Sequence, residues 1–172
     1  MISHDIEICQ LNNLTMKEAF ELIFGENTLR KVHGVSLMIT PWQNNKRKLD
    51  FYLQIDTIPK ILKDMFCASG FHITCNQTLS QDNIINNDII LHCIGSNLIR
   101  IISSFHLQEI TNKIYLSGNL KIYSNLFTPI DSLIESFIFE QCKKEIDNYR
   151  NIIINIYNAR KLVTHTSNQY SD

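Results

Sequence analysis

Histidine and cysteine are the residues of this sequence that most often carry metal or nucleophilic chemistry, and the chain has six histidines and five cysteines. A metal site needs several such ligands at recognised spacings. Two local pairs, His72 with Cys75 and His92 with Cys93, would each point to opposite faces of a strand. The chain has no C-x-x-C pair, no G-x-S-x-G motif and no glycine-rich phosphate loop. We therefore predict no catalytic residue, no metal and no cofactor.

Apolar residues in regular patterns are candidates for a different kind of site, a pocket for a hydrophobic ligand, because such pockets are mostly apolar. The predicted wall combines one face of several strands with one stripe of the C-terminal helix: Phe51, Leu53, Ile73, Leu91, Ile101, Phe105, Leu116, Leu120, Phe137 and Ile138. Met65 and Phe66 complete this candidate ligand-binding set as an entry lid, with Gly70 as its hinge. Two alternatives stay open. The wall pattern also fits a solid core, and the lid segment also fits a helix packed on the sheet edge.

The first elements that would position these residues are a strand and two helices. Ile6 and Ile8 alternate with polar neighbours, which predicts a short strand. Thr15 and Glu18 have the spacing of a capping box, and they begin a helix that ends at Gly25. A second short helix is predicted over residues 27–33.

Six further strands are predicted from alternating apolar residues: 35–39, 49–55, 71–79, 89–94, 99–107 and 113–123. Residues 57–69 interrupt them with a helical spacing of apolar residues. Asparagine-containing clusters at 43–46, 82–83 and 86–88 suggest turns. The chain has 28 Ile and 18 Asn, which we attribute to an AT-rich coding sequence, so single asparagines carry little information.

The last element is a long helix. Thr128 and Pro129 supply an N-cap and a first-turn proline, and neither glycine nor proline follows up to Val163. At ~1.5 Å per residue this helix would span roughly 50 Å. Residues 164–172 are polar and are predicted to be a disordered tail.

Length and charge narrow the class of protein. A chain of 172 residues predicts one domain, here over residues 1–163. A net charge of −1 excludes a mainly electrostatic nucleic-acid binder. The N-terminus has no leader pattern, no apolar run reaches the ~18 residues of a membrane span, and the scattered cysteines suit a reducing environment. We therefore predict a cytoplasmic protein.

The order of elements predicts an α+β fold in which a curved antiparallel sheet of about seven strands wraps around the long helix. This order resembles the START-like helix-grip superfamily (SRPBCC). Residues 14–27 resemble the opening of VASt domains, and Pro41-Trp42 with 47–51 is similar to their second and third strands. Residues 128–137 resemble the start of the closing helix of the superfamily, which also includes polyketide-cyclase-like proteins. Residues 58–62 are more similar to a short helix of some bacterial relatives than to VASt domains.

The resemblance implies a hydrophobic ligand, such as a lipid, held without catalysis between sheet and helix. Two other functions stay open. The fold could be a scaffold that binds a protein partner at the helix end (152–163), or an enzyme such as a cyclase or hydrolase with a polar acid or base in the cavity. Lys60 and Lys63 could give transient contact with lipid headgroups, and the basic run 46–48 is predicted to be solvated surface.

Overall fold

Among the residues that the structure describes, seven strands form one antiparallel sheet, and three helices accompany it. The structure is a computed structural model that describes residues 2–34, 36–54, 70–93, 96–124 and 128–167. In chain order the elements are β1 (Ile2–Asn12), α1 (Met16–Phe24), α2 (Glu26–His33), β2 (Met38–Ile39), β3 (Lys46–Gln54), β4 (Gly70–Leu79), β5 (Ile84–Cys93), β6 (Ser96–Ile110), β7 (Lys113–Ser124) and α3 (Thr128–Ser167).

The sheet is a meander closed by its first strand. The strand order is β1-β7-β6-β5-β4-β3-β2, with antiparallel pairing throughout. Side chains alternate between two faces. We call the face that packs on α3 the inner face, and the opposite one the outer face. The predicted α+β architecture, a curved antiparallel sheet with a long C-terminal helix and two short helices after the first strand, is confirmed.

Two tight turns explain why asparagine occurs between strands. Asn44 and Asn45 have φ values of 49° and 60°, and Thr111 and Asn112 repeat these values between β6 and β7. Two-residue hairpin loops favour positive φ at both central positions, and asparagine tolerates that conformation better than most residues.

The helix α1 begins at the predicted capping box. The backbone N–H of Thr15 donates to the Glu18 carboxylate at 2.8 Å, and the N–H of Glu18 donates to the Thr15 hydroxyl at 3.2 Å. This helix buries its apolar side chains against β1 and the C-terminal half of α3. Its neighbour α2 ends at Gly34, whose φ of 79° suits a residue without a side chain.

The helix α3 holds the N-terminal elements through two tyrosines. The hydroxyl of Tyr149 donates to the carbonyl of Ile23, and that of Tyr157 donates to the carbonyl of Asn12 at 2.7 Å. At ~1.5 Å per residue the 40 residues of α3 span roughly 60 Å. The helix continues to Ser167, so residues 164–167 are helical where the sequence predicts a disordered tail.

Three predictions at the level of elements need correction or lie outside the described residues. The predicted strand at 35–39 is reduced to Met38–Ile39. The predicted turn at 82–83 is confirmed by the positive φ of Asn83, whereas the predicted turn at 86–88 is wrong, because the hairpin has already turned and these residues lie within β5. The predicted helix or lid at 57–69 lies outside the described residues.

In the part of the chain that the structure describes, no helix is long and apolar enough to cross a membrane.

Candidate functional site

A cavity of about 180 Å³ lies between the inner face of the sheet and α3. Its wall is mostly apolar. The aliphatic and aromatic members are Phe24, Leu29, Val32, Leu49, Phe51, Leu53, Phe71, Ile73, Ile89, Leu91, Ile101, Phe105, Leu120, Ile138 and Ile146. This void exceeds the ~150 Å³ of an engineered apolar cavity that binds benzene. The fold therefore leaves enough space between sheet and helix for a hydrophobic group at least the size of one ring.

Eight of the residues selected from the sequence line this cavity: Phe51, Leu53, Ile73, Leu91, Ile101, Phe105, Leu120 and Ile138. Leu116 packs instead in the core cluster beside α1, away from the cavity. Phe137 packs against the core cluster of the central strands without reaching the wall. Met65, Phe66, Lys60 and Lys63 lie outside the described residues. That the eight wall residues bind a ligand stays a prediction.

A row of hydrogen-bonded polar side chains crosses the otherwise apolar inner face. Arg47 Nε donates to Gln77 Oε1 at 2.6 Å, Gln77 Nε2 donates to Asn87 Oδ1 at 2.7 Å, and Asn87 Nδ2 donates to Ser103 Oγ at 3.0 Å. All four side chains are buried. The row forms because antiparallel pairing sets Arg47 opposite Gln77, Gln77 opposite Asn87 and Asn87 opposite Ser103. Gln77, Asn87 and Ser103 bring polar atoms to the cavity wall.

Arg47 anchors this polar row at the sheet edge. A second guanidinium nitrogen donates to the carbonyl of Phe24 at 2.9 Å, and the guanidinium lies 4.3 Å from the centre of the Trp42 ring. Burial lowers the pKa of Arg47, and nearby acidic side chains, including those of Glu21 and Glu26, oppose that shift. The prediction that the basic run 46–48 is solvated surface is therefore wrong for its central residue, because β3 turns Arg47 to the inner face.

The helix α3 adds a second set of polar side chains to the cavity wall, besides those of the polar row. Gln141, Glu145 and Tyr149 line the cavity one helical turn apart, which places them on the same side of α3. Burial raises the pKa of the Glu145 carboxyl above its usual value. Burial likewise raises the pKa of Tyr149, whose hydroxyl already donates to Ile23. Glu145 is thus a carboxyl group at the wall of an apolar space.

His33, at the end of α2, closes another part of the wall. Its ring stacks on Phe51 with 4.0 Å between the ring centres. Burial lowers the pKa of His33 to about 4, so this imidazole is neutral at neutral pH. Its Nδ1 is buried and has no hydrogen-bond partner among the described residues. This unsatisfied nitrogen belongs to a residue that lines the cavity.

The cysteines of the wall behave as apolar groups. Burial raises the pKa of Cys75 and of Cys142 to about 12, which keeps both as unreactive thiols at neutral pH. Within the described ranges, no group of three or more histidine, cysteine, aspartate or glutamate side chains could hold a metal ion.

A second polar cluster lies on the outer face, away from the cavity. The Thr74 hydroxyl donates to Asp50 Oδ1 at 2.6 Å and lies 2.8 Å from His92 Nε2, while the His72 ring stacks on His92. Burial acts to raise the pKa of the Asp50 carboxyl, but hydrogen bonds from Lys48 and Thr74 hold that pKa below its usual value. This cluster joins neighbouring strands, and none of these residues lines the cavity.

Sequence reasoning missed the whole polar row. Asn87 belongs to an asparagine cluster that resembles a turn, and Gln77 and Ser103 are isolated polar residues in apolar strands. One signal was available. Every second residue of a strand points to the same face. In the predicted strands, Gln77 therefore shares a face with Ile73 and Cys75, and Ser103 shares a face with Ile101 and Phe105.

Neither a protein-family model nor a curated protein sequence matches the chain. Solved structures do match it. TTHA0849 from Thermus thermophilus has a TM-score of 0.64 at 4% identity, covering 92% of this chain and 99% of that one. The Zhui aromatase/cyclase from Streptomyces sp. R1128 has a TM-score of 0.58 at 6% identity, covering 92% and 93%.

A third similar structure is Ara h 8.0201, with a TM-score of 0.56 at 7% identity over 89% of this chain and 99% of that one. At such low identity the likeness concerns the fold alone. It extends over nearly the full length of all three proteins, and it agrees with the sheet order and the long closing helix. This chain therefore has a helix-grip fold.

Proposed function

We propose that this protein binds a hydrophobic small molecule, without catalysis, in the cavity between the inner face of the sheet and α3. The observation that carries the proposal is the cavity itself: about 180 Å³ of space with a mostly apolar wall and a few polar atoms. Small-molecule sites have that combination, because apolar area supplies affinity and a few polar groups orient the ligand.

The physical basis of binding is the transfer of apolar surface from water to the cavity. Each square ångström buried contributes ~25 cal/mol before the costs of immobilising the ligand. The wall is prepared for this role because its strands and helix are tied at several points, including the Tyr149 and Arg47 hydrogen bonds to the backbone of α1. A preformed cavity loses little entropy when it is filled.

Native mass spectrometry of protein purified from cells, followed by extraction and identification of the bound molecule, tests this proposal. We expect a complex whose mass exceeds that of the chain by one small hydrophobic molecule, released on denaturation. The same protein should bind an uncharged fluorophore such as phenylnaphthylamine. The proposal fails if no molecule copurifies and the fluorophore shows no saturable binding.

The finer assignment that we propose is a lipid or lipid-like ligand in a cytoplasmic, VASt-like relative. Its support is the resemblance of residues 14–27, which form α1 and the start of α2 and place Phe24 on the cavity wall. The buried, protonated cysteines suit a reducing compartment. Identification of the extracted molecule as a lipid supports this assignment, and a polar metabolite overturns it.

An enzyme is the second candidate, because the cavity wall holds the kind of polar acid or base that catalysis needs. Glu145 has a pKa raised by burial, and His33, which also lines the cavity, has a ring nitrogen without a partner among the described residues. An enzyme would convert the molecule that copurifies. The Glu145→Gln variant should then retain an unconverted precursor of different mass, whereas a binding protein should carry the same molecule in both forms.

A further inference from the structure

We propose that this cavity selects ligands by the charge of their polar group: it accepts a hydrogen-bond donor such as an amine or a hydroxyl, and it excludes a carboxylate, with Glu145 setting the preference. This inference rests on the proposed binding function and adds the chemical class of the ligand.

The first observation is the distribution of charge on the wall. Glu145 is the carboxyl group that lines the cavity, and no lysine or arginine lines it among the described residues. Arg47 is the cation of the polar row, but its guanidinium already donates to Gln77 and to the carbonyl of Phe24. His33 is neutral because burial lowers its pKa to about 4.

The second observation is that the Glu145 carboxyl has no compensating partner in the described part of the chain. Burial alone accounts for its raised pKa, and no cation or hydrogen-bond donor among the described residues contacts it. A half-buried carboxylate of this kind is satisfied by a donor from a ligand, and more strongly by a cation than by a neutral donor.

The polar side chains of the row that line the cavity, Gln77, Asn87 and Ser103, carry no positive charge. The Ser103 hydroxyl accepts from Asn87, and the Asn87 oxygen accepts from Gln77, so each of these amides already gives one of its two N–H protons to the row. A carboxylate entering this space would lose its hydration without gaining a cation, and it would approach a second carboxyl group. A hydroxyl group carries no charge, and an ammonium group would be attracted to the Glu145 carboxylate, so neither group is excluded in this way.

Competition against bound phenylnaphthylamine tests the inference with three ligands of equal chain length: decanol, decylamine and decanoate, at neutral pH and below their micelle concentrations. We expect decanol and decylamine to displace the fluorophore, and decanoate to bind at least roughly tenfold more weakly than decanol. The Glu145→Gln variant should reduce the ratio of decylamine to decanoate affinity by roughly tenfold, and should leave decanol affinity within about twofold.

Glu140→Gln is the matched control, because Glu140 is exposed on the same helix and its substitution makes the same change in net charge. It should leave all three affinities unchanged. The inference is overturned if decanoate binds wild type as tightly as decanol, or if the two glutamate variants behave alike. Absence of binding by the fluorophore and by all three ligands would instead overturn the proposed function, so the two failures are distinguishable.

Discussion

The side-chain amide of Asn87 donates a 3.0 Å hydrogen bond to the hydroxyl of Ser103, and this bond brings the polar row of the inner face to the cavity wall. The two residues lie opposite each other on β5 and β6. Both are buried among apolar side chains, where an unpaired polar atom is costly. The pair therefore matters both for the stability of the sheet and for the polarity of the site.

Replacing Asn87 should destabilise the protein by leaving its neighbours unpaired. In Asn87→Ala the Gln77 amide loses its acceptor and Ser103 loses its donor, so we expect the free energy of unfolding to fall by about 2–3 kcal/mol. Urea denaturation measures this loss. Asn86→Ala is the control, because Asn86 bonds to Ser80 and Ser104 on the outer face, where water can replace it. Equal losses in the two variants would contradict our account of the row.

Two substitutions on one strand distinguish a cavity from a solid core. Ile99 and Ile101 both point to the inner face of β6, but only Ile101 lines the cavity. Ile101→Phe should fill empty space, so we expect a change in unfolding free energy below about 1 kcal/mol together with loss of fluorophore binding. Ile99→Phe should overpack the core and cost about 1–3 kcal/mol. Similar large losses in both variants would show that no usable space adjoins Ile101.

Acid should weaken the fold through His33. Its pKa in the folded state, about 4, lies below the ~6.5 of an unfolded chain, so the unfolded state binds more protons between these values. The contribution of His33 to the free energy of unfolding is then fully present above pH ~6.5, and it decreases as the pH falls towards about 4. From about pH 7 to about pH 5 we expect His33 to account for a loss of about 2 kcal/mol.

The His33→Phe variant isolates this effect, because phenylalanine keeps the stacking on Phe51 and cannot take up a proton. Urea denaturation at the two pH values should show a smaller decrease for the variant than for wild type, by about 2 kcal/mol. Identical pH dependence in the two proteins would mean that His33 can be protonated in the folded state.

Gly118 permits the close approach of Phe105 across β6 and β7. A Cβ atom at this position would lie 2.6 Å from the Phe105 ring and 2.9 Å from the carbonyl oxygen of Ser104. We expect Gly118→Ala to lower the free energy of unfolding by about 1–3 kcal/mol, because the ring is held between the strand and the cavity.

A double-mutant cycle with Phe105→Leu assigns that loss to the ring. The smaller side chain should relieve part of the contact, so the two substitutions together should cost at least about 0.5 kcal/mol less than the sum of the single losses. Additive losses would show that the contact with the Ser104 carbonyl alone explains the effect.

Local patterns in the sequence were sufficient to predict the order and class of the elements. The capping box at Thr15, the Thr128-Pro129 helix start and the alternation along the strands act over a few residues, so they can be recognised without the fold. The curved sheet and its closing helix follow from them, because a single apolar face and a single apolar stripe must bury each other.

The tertiary structure alone decided where the polar groups meet. The hydrogen bonds of the row join residues that are 30, 10 and 16 positions apart, and each depends on the register of a strand pair. A shift of one residue would turn every side chain of a strand to the other face, and no local pattern distinguishes the two registers when isolated polar residues interrupt an apolar strand. The cavity has the same origin, because a wall of large apolar residues becomes a pocket or a solid core according to how closely the sheet and α3 approach.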